Sequence, residues 1–347
     1  MSLFLFPMEF NAALGKYGAE FAILLILTLV ALPSLATLYC ISAWYFSSHL
    51  SRSKLTTMVA GKRCLVTGGS KGLGKEVCNL LAKSGAHVTI VARGKLVGGV
   101  NTLDDAVRSV KNFKTDEIQR ISGISIDLTN QALVSEKLAT AAAEHGSFDW
   151  VFCIAGQALP GFLADQITTK GSSCTDAEWG MKSNYLTALY TVQAMAGIAT
   201  KPTKNSPVVG ISDAILFPQR IVLVGSMLSL LSFAGFSTYS ASKYALRGLA
   251  DGLRNEFLPI GTKMHIYFPG NMDTPGFDDE AASKPEITHL IEGQSTLVSA
   301  KSAAEFLLAS MMNERYAISN DLLGELARIA TGGASPRPNM IAEVQYY

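Results

Sequence analysis

Three residues of this 347-residue chain have types and spacing that suit proton transfer to a reacting oxygen: Ser226, Tyr239 and Lys243. Tyr239 and Lys243 stand four positions apart at the start of YSASKYALRGLADGLRNEF, a stretch with helical patterning, so both fall on one helix face. A lysine ammonium beside a phenol favours the phenolate and lowers its pKa from about 10 toward working pH. The phenol is then ready to exchange a proton with a substrate oxygen. Ser226 closes the apolar run Ile221–Val224 and Gly225, which reads as a buried strand and its turn, and a hydroxyl there can hydrogen-bond the same oxygen. Taken alone, a Tyr and a Lys at this spacing are by default a snorkelling surface pair. Their surroundings turn the reading toward chemistry.

The elements that must position this trio begin far upstream. Arg63–Thr67 reads as a buried strand, TGGSKGLG follows from Thr67 to Gly74, and a helical run continues from Lys75 to Ser84. A strand, a glycine turn and a helix in that order form a pyrophosphate cradle. Glycines allow close backbone approach, and the helix N-terminus offers free N–H groups, here from Gly68, Ser70, Lys71, Gly72, Leu73 and Gly74. His87–Ala92 reads as the second strand. Where an acidic residue would take a ribose 2′-hydroxyl, the chain has Arg93, with no acid before Asp104. Arg93, together with Lys71 in the turn, suits a 2′-phosphate and therefore NADPH. A helical region runs to about Arg120, and further strands are expected at Ile124–Leu128, Asp149–Ile154 and Met264–Phe268. This alternation predicts a doubly wound parallel sheet, a Rossmann-type domain over residues 61–330.

The glycine turn in its T-G-x-x-x-G-x-G form, Ser226 and the YSASK run together resemble the short-chain dehydrogenase/reductase family in order and spacing. The resemblance implies catalytic roles for Ser226, Tyr239 and Lys243, with Lys243 also gripping the nicotinamide ribose. It adds Asn184, within WGMKSNYLTALY, as a fourth catalytic residue holding a water that links the lysine to solvent. Cofactor contacts are implied for Asp127 and its neighbour Leu128 at a strand end, for Ala155 and Gly156, and for Pro269, Gly270 and Thr274 near the nicotinamide. Two departures stand out. Cys153-Ile154-Ala155-Gly156 replaces the usual N-N-A-G, and Pro269-Gly270-Asn271 stands where relatives commonly have two prolines and an Asp. The stretches DTPGF and KPEITHLIEG resemble a narrower branch whose members reduce the 3-keto group of a long-chain amino alcohol on the cytosolic face of the endoplasmic reticulum. That implies a long-chain ketone lipid as substrate and membrane lipid as surroundings. The alternatives are an anchored reductase of a steroid, retinoid or 3-ketoacyl chain, or a scaffold that keeps the fold without catalysis. The intact trio argues against the scaffold.

Composition bounds the rest. Lys plus Arg number 29 and Asp plus Glu 28, a net charge of +1, so no basic field points to nucleic acid. Apolar residues make up 48% and charged ones 16%, and much of the excess sits in Phe21–Ser48, which has no charged residue or histidine. This length suits a transmembrane helix of about 20 residues. It is too long, and lacks the basic start, for a cleaved signal peptide. Arg52, Lys54, Lys62 and Arg63 follow it, which predicts a catalytic domain on the cytosolic side, and the resemblance implies that the membrane is that of the endoplasmic reticulum. Residues 51–60 read as a polar linker, 201–219 as an irregular excursion, and Pro275 to about Ser299 as a loop carrying substrate contacts. Ser302–Met312 and Asn320–Ala330 read as terminal helices, and residues 331–347 as a loose tail. In the second helix a stripe of Leu322, Leu323, Leu326 and Ile329 suits core packing, a homo-oligomer contact or the membrane. Cys40, Cys64, Cys78, Cys153 and Cys174 lack metal-site spacing and read as reduced packing residues, with no metal expected.

Overall fold

The structure, a computed structural model, describes residues 49–165, 175–199, 217–293 and 297–331, with isolated positions before residue 49. Nearly all of these lie in one compact unit, Ser48–Tyr347. The expected membrane span at 21–48, most of the 201–219 excursion and the tail after Thr331 fall outside the described residues. Among the described residues, no helix is long and apolar enough to cross a membrane.

Seven parallel strands form the central sheet: β1 (Arg63–Thr67), β2 (His87–Ala92), β3 (Ile121–Ser125), β4 (Trp150–Cys153), β5 (Arg220–Val224), β6 (Lys263–Phe268) and β7 (Ala317–Ser319). Their spatial order is β7-β6-β5-β4-β1-β2-β3, so the direction of winding reverses between β1 and β4. Ligands bind at that switch point, beyond the carboxyl ends of the strands. Strands β4 and β5 are buried along their whole length, as a sheet covered on both faces requires. Helices α1 (Gly72–Lys83), α2 (Thr102–Lys111) and α6 (Ala300–Met312) pack together on one face. Helices α3 (Gln131–His145), α4 (Thr187–Ala199) and α5 (Ser237–Phe257) cover the other. The core on that second face joins Leu65, Val151, Leu223 and Ile266 from the strands to Leu138, Val192 and Leu246 from the helices. Leu223 is fully buried, so its replacement by Ala costs about 2–5 kcal/mol.

Three expectations change. The third strand lies at Ile121–Ser125 rather than Ile124–Leu128, because its register is set by β2, with Val88 opposite Ile121 and Ala92 opposite Ser125. Gly123 weakens the strand signal in the sequence, yet a Cβ there would stand 2.8 Å from Val107 of α2, so the helix packs where a side chain would be. The linker at 51–60 contains a helix, Arg52–Val59, capped by Ser51, whose Leu55 and Val59 are buried one turn apart. Its Lys54 Nζ donates to Asn313 Oδ1 at 2.9 Å, tying the segment to the end of α6. The region from Pro275 to Ser299 holds two short helices, Pro275–Ala281 and Glu286–Glu292, rather than loop alone. The two terminal helices occur as expected, at Ala300–Met312 and Leu322–Ala330, with the edge strand β7 between them.

Candidate active site

The sheet's carboxyl edge gathers the residues that the sequence scattered. At β1, Gly68 has φ +70°, and a Cβ on it would meet Ala155 Cα and N at 2.9 Å, so the turn after β1 lies directly against the end of β4. A Cβ on Gly74 would fall 2.3 Å from the Gly68 carbonyl oxygen, so only glycine lets α1 start that close to the turn. Lys71 is the N-cap of α1, and its side chain makes no capping hydrogen bond. The first-turn amides of Gly72, Leu73 and Gly74 are therefore left for an anionic group. This arrangement at the switch point fits a dinucleotide.

Thr67 closes β1 in a role that the sequence reading missed. Its hydroxyl donates to the Phe152 carbonyl at 3.3 Å and accepts from the amides of Ile154 at 3.1 Å and Ala155 at 3.3 Å. The turn at Cys153–Gly156 is thus held from β1 without the asparagine that usually occupies it. The threonine of the glycine motif was the available signal.

Arg93 sits exposed immediately past β2, and its own carbonyl accepts from Ser125 Oγ at 3.2 Å. Lys71 Nζ lies 3.5 Å from Asp279 Oδ2 in the helix Pro275–Ala281, an exposed ion pair. Asp127 is exposed, and its Oδ1 accepts from the Thr129 amide at 3.0 Å and hydroxyl at 2.8 Å, which closes a local turn. Leu128 beside it is buried. Thr274 caps Pro275–Ala281 by accepting from Phe277 N at 3.2 Å, and its methyl would lie 3.2 Å from a Cβ on Gly72, so it adjoins the glycine turn. Pro269 O accepts from Met227 N at 3.0 Å, and Gly270 N donates to Asn320 Oδ1 at 3.2 Å, which anchors this turn to the Ser226 loop on one side and to the chain after β7 on the other.

Ser226, Tyr239, Lys243 and Asn184 converge. Ser226 Oγ accepts from Leu228 N at 3.1 Å, which leaves its O–H to donate. Lys243 is buried to 4% exposure within α5 and donates from Nζ to the Val224 carbonyl at 3.0 Å, and its ammonium stands 5.7 Å from the Tyr239 ring centroid. Burial brings its pKa down to about 8. Asn184 lies in a π-helical turn, Met181–Leu186, between two α-helical stretches, a distortion often met at functional sites. At 1% exposure, it accepts from Gln157 N at 2.9 Å through Oδ1 and donates through Nδ2 to Ser242 Oγ at 3.0 Å. A Cβ on Gly156 would lie 2.6 Å from Asn184 Oδ1 and 3.4 Å from Lys243 Nζ, which places all three at one point. Ser242, within YSASK, also donates to the Tyr239 carbonyl at 2.7 Å and so couples Asn184 to α5.

One electrostatic expectation reverses. The Tyr239 phenol is raised above the usual tyrosine range, first by burial and second by the Glu280 carboxylate, while the hydrogen bond with Ser226 pulls only partly the other way. Lys243, whose Nζ donates to the Val224 carbonyl, is not among the groups that pull the phenol down. A neutral phenol is a proton donor, which is the state that reduction of a carbonyl needs. Among the described residues, no group of His, Cys, Asp and Glu could hold a metal ion.

The family model described as short chain dehydrogenase matches residues 62–212 and 218–285. A 3-ketodihydrosphingosine reductase of Cryptococcus neoformans is 33% identical over 286 residues, covering 82% of this chain and 78% of that protein. A fusion protein of Schizosaccharomyces pombe named for the same reductase is 34% identical over 284 residues, 81% of this chain and 52% of that one. The reductase of Bos taurus is 28% identical over 287 residues, 82% of this chain and 79% of its own. Among solved structures, a short-chain dehydrogenase from Streptomyces avermitilis superposes with a TM-score of 0.61 at 22% identity, over 82% of this chain and 96% of that one. That likeness carries the fold. Together with the convergence of Ser226, Tyr239, Lys243 and Asn184 beside an uncapped glycine-turn helix, these matches mean that the chain is an oxidoreductase and belongs to the short-chain dehydrogenase family.

Proposed function

We infer that this protein reduces the 3-keto group of 3-ketodihydrosphingosine to the alcohol of dihydrosphingosine, with NADPH as cofactor, at the endoplasmic reticulum membrane. The observation that carries the substrate is the 33% identity, over 82% of the chain, to a protein named for that reduction. The site supplies the chemistry. A nicotinamide bound in the cleft contributes the hydride. Tyr239, held neutral, gives its proton to the ketone oxygen. Ser226 donates to the same oxygen and stabilises charge as it develops there. Lys243, tied to Val224, keeps a positive charge beneath the phenol and faces the cleft with Asn184 and Gly156. The amides of Gly72, Leu73 and Gly74 would hold the pyrophosphate, and the exposed Arg93 supports NADPH over NADH.

Purified full-length protein in detergent tests the reading. It should oxidise NADPH with 3-ketodihydrosphingosine and show far weaker turnover with a 3-keto steroid or a 3-ketoacyl thioester. Preference for either of those substrates would replace the lipid assignment, and no turnover of any ketone would revive the scaffold. Carbonate extraction and protease treatment of intact microsomes test placement: the protein should stay with the membrane and its catalytic domain should be digested.

A further inference from the structure

The substrate side of the site contains a buried ion cluster that the reaction as described does not use. Lys284, with its side chain 1% exposed, pairs with Glu280 Oε1 at 2.9 Å and with Glu292 Oε2 at 2.7 Å. Two carboxylates share one ammonium, so with both ionised the cluster has a formal charge of −1. The Lys284 ammonium lies 4.4 Å from the Phe277 ring centroid and 5.7 Å from that of Phe236, and the Phe236 ring in turn packs 5.7 Å from Tyr239. The cluster therefore adjoins the catalytic phenol across one aromatic ring. It is also fixed there: Thr288, fully buried, donates from its hydroxyl to the Ala234 carbonyl at 3.0 Å and bolts the helix Glu286–Glu292 to the loop preceding α5.

A net negative charge in a half-enclosed place is costly unless a cation comes to it. Of the two carboxylates, Glu280 is the one whose field reaches Tyr239, and its own carboxyl is raised by burial despite Lys284. The substrate proposed above has an amine on the carbon next to the ketone. Its N–C–C=O skeleton is that of an amino acid, so the nitrogen stands about 3 Å from the oxygen that Tyr239 protonates. The cluster adjoins that phenol through the Phe236 ring, so an ammonium on the carbon next to the ketone enters the same region as Glu280.

We propose that Glu280 receives the substrate's ammonium group, so that the enzyme selects a ketone with a cation on the neighbouring carbon. Glu292 and Lys284 then serve as positioning residues that hold Glu280 in place. The pairing has a catalytic consequence: the substrate's own positive charge cancels the Glu280 field at Tyr239 and makes the phenol a better acid once the correct ketone is bound. This inference rests on the lipid assignment, and its test separates the two.

The experiment compares kcat/KM for 3-ketodihydrosphingosine and for the des-amino 3-ketone of equal chain length, in the same detergent micelles, with wild-type, Glu280→Gln and Glu280→Asp proteins. A ratio within one protein is insensitive to the fraction that folds. Wild type should favour the amine by about tenfold or more, the scale of a charge-assisted hydrogen bond. Glu280→Gln should bring the ratio to within about twofold of unity, and Glu280→Asp should keep most of the preference. A Glu280→Gln ratio equal to wild type, or a wild type that reduces both ketones equally, overturns the Glu280 assignment and leaves the lipid assignment standing. A wild type that reduces neither overturns both. Product inhibition of wild type needs no variant: dihydrosphingosine should inhibit about tenfold more strongly than its des-amino diol, and equal inhibition counts against the proposal.

Discussion

Gly156→Ala puts a methyl where the active site has no space for one. The new Cβ would stand 2.6 Å from Asn184 Oδ1, some 0.6 Å or more inside ordinary carbon–oxygen contact on the scale of about 3.2–3.5 Å. Asn184 cannot yield cheaply. It is 1% exposed and pinned on both sides, by Gln157 N at 2.9 Å and Ser242 Oγ at 3.0 Å. Lys243 Nζ, at 3.4 Å from the same Cβ, blocks the other direction. Relief therefore comes from moving the Asn184 amide or the Gly156 backbone by about half an ångström, with a hydrogen bond stretched or lost. Overpacking of this kind costs about 1–3 kcal/mol of stability, and a misplacement approaching 1 Å at a reacting centre costs about 10²-fold in rate. We expect kcat to fall by about ten- to a hundredfold while the protein still melts cooperatively a few degrees below wild type. Steady-state turnover of 3-ketodihydrosphingosine, with thermal unfolding of the same preparation, measures both. A kcat within about twofold of wild type would refute the reasoning, since Asn184 would then have room to move or no part in the chemistry.

Tyr239→Phe should lower turnover by about 10² or more with NADPH affinity nearly unchanged, because only the proton donor is lost; cofactor fluorescence titration and steady-state kinetics separate the two effects. Arg93→Glu should reduce the NADPH to NADH preference, measured as a ratio of kcat/KM values, and an unchanged ratio would move 2′-phosphate recognition elsewhere. His265, 1% exposed between Arg220 Nη1 at 3.2 Å and the Arg315 carbonyl at 2.6 Å, has its pKa lowered from 6.5 to about 4, first by burial. The unfolded chain then binds the proton more readily than the folded one between those values, so stability should fall as pH drops from 6.5 toward 4, by about 3 kcal/mol in all. Chemical denaturation across that window checks it, and a wild-type slope in His265→Gln would assign the effect to other groups.

The sequence by itself determined the features that short-range geometry encodes. Tyr239 and Lys243 share a helix face because they are four residues apart, and the glycine turn at Gly68 leads from a strand into a helix whose first turn holds Gly72 and Gly74, because apolar β-branched and helical runs flank it. The doubly wound sheet follows from the same alternation, and the strands from Arg63, His87, Asp149, Ile221 and Met264 fall within one residue of where they were expected. The sequence alone could not set the third strand, where Gly123 hides β3 and pairing with β2 decides the register.

What only the tertiary structure decided concerns distance through space and exclusion of water. Lysine next to tyrosine in a helix suggests a lowered phenol pKa, but burial, and a carboxylate brought by Glu280 from about forty residues downstream, raise it instead. Lys71 belongs to the cofactor turn in the sequence and pairs with Asp279 in space. Asn184 reaches Gly156 through a π-turn that no periodicity announces, and Thr67 takes over the strand-end amides that an asparagine was expected to organise. In each case a local pattern named the residue. Packing between distant segments chose its partner, and for Tyr239 burial set the direction of the pKa shift.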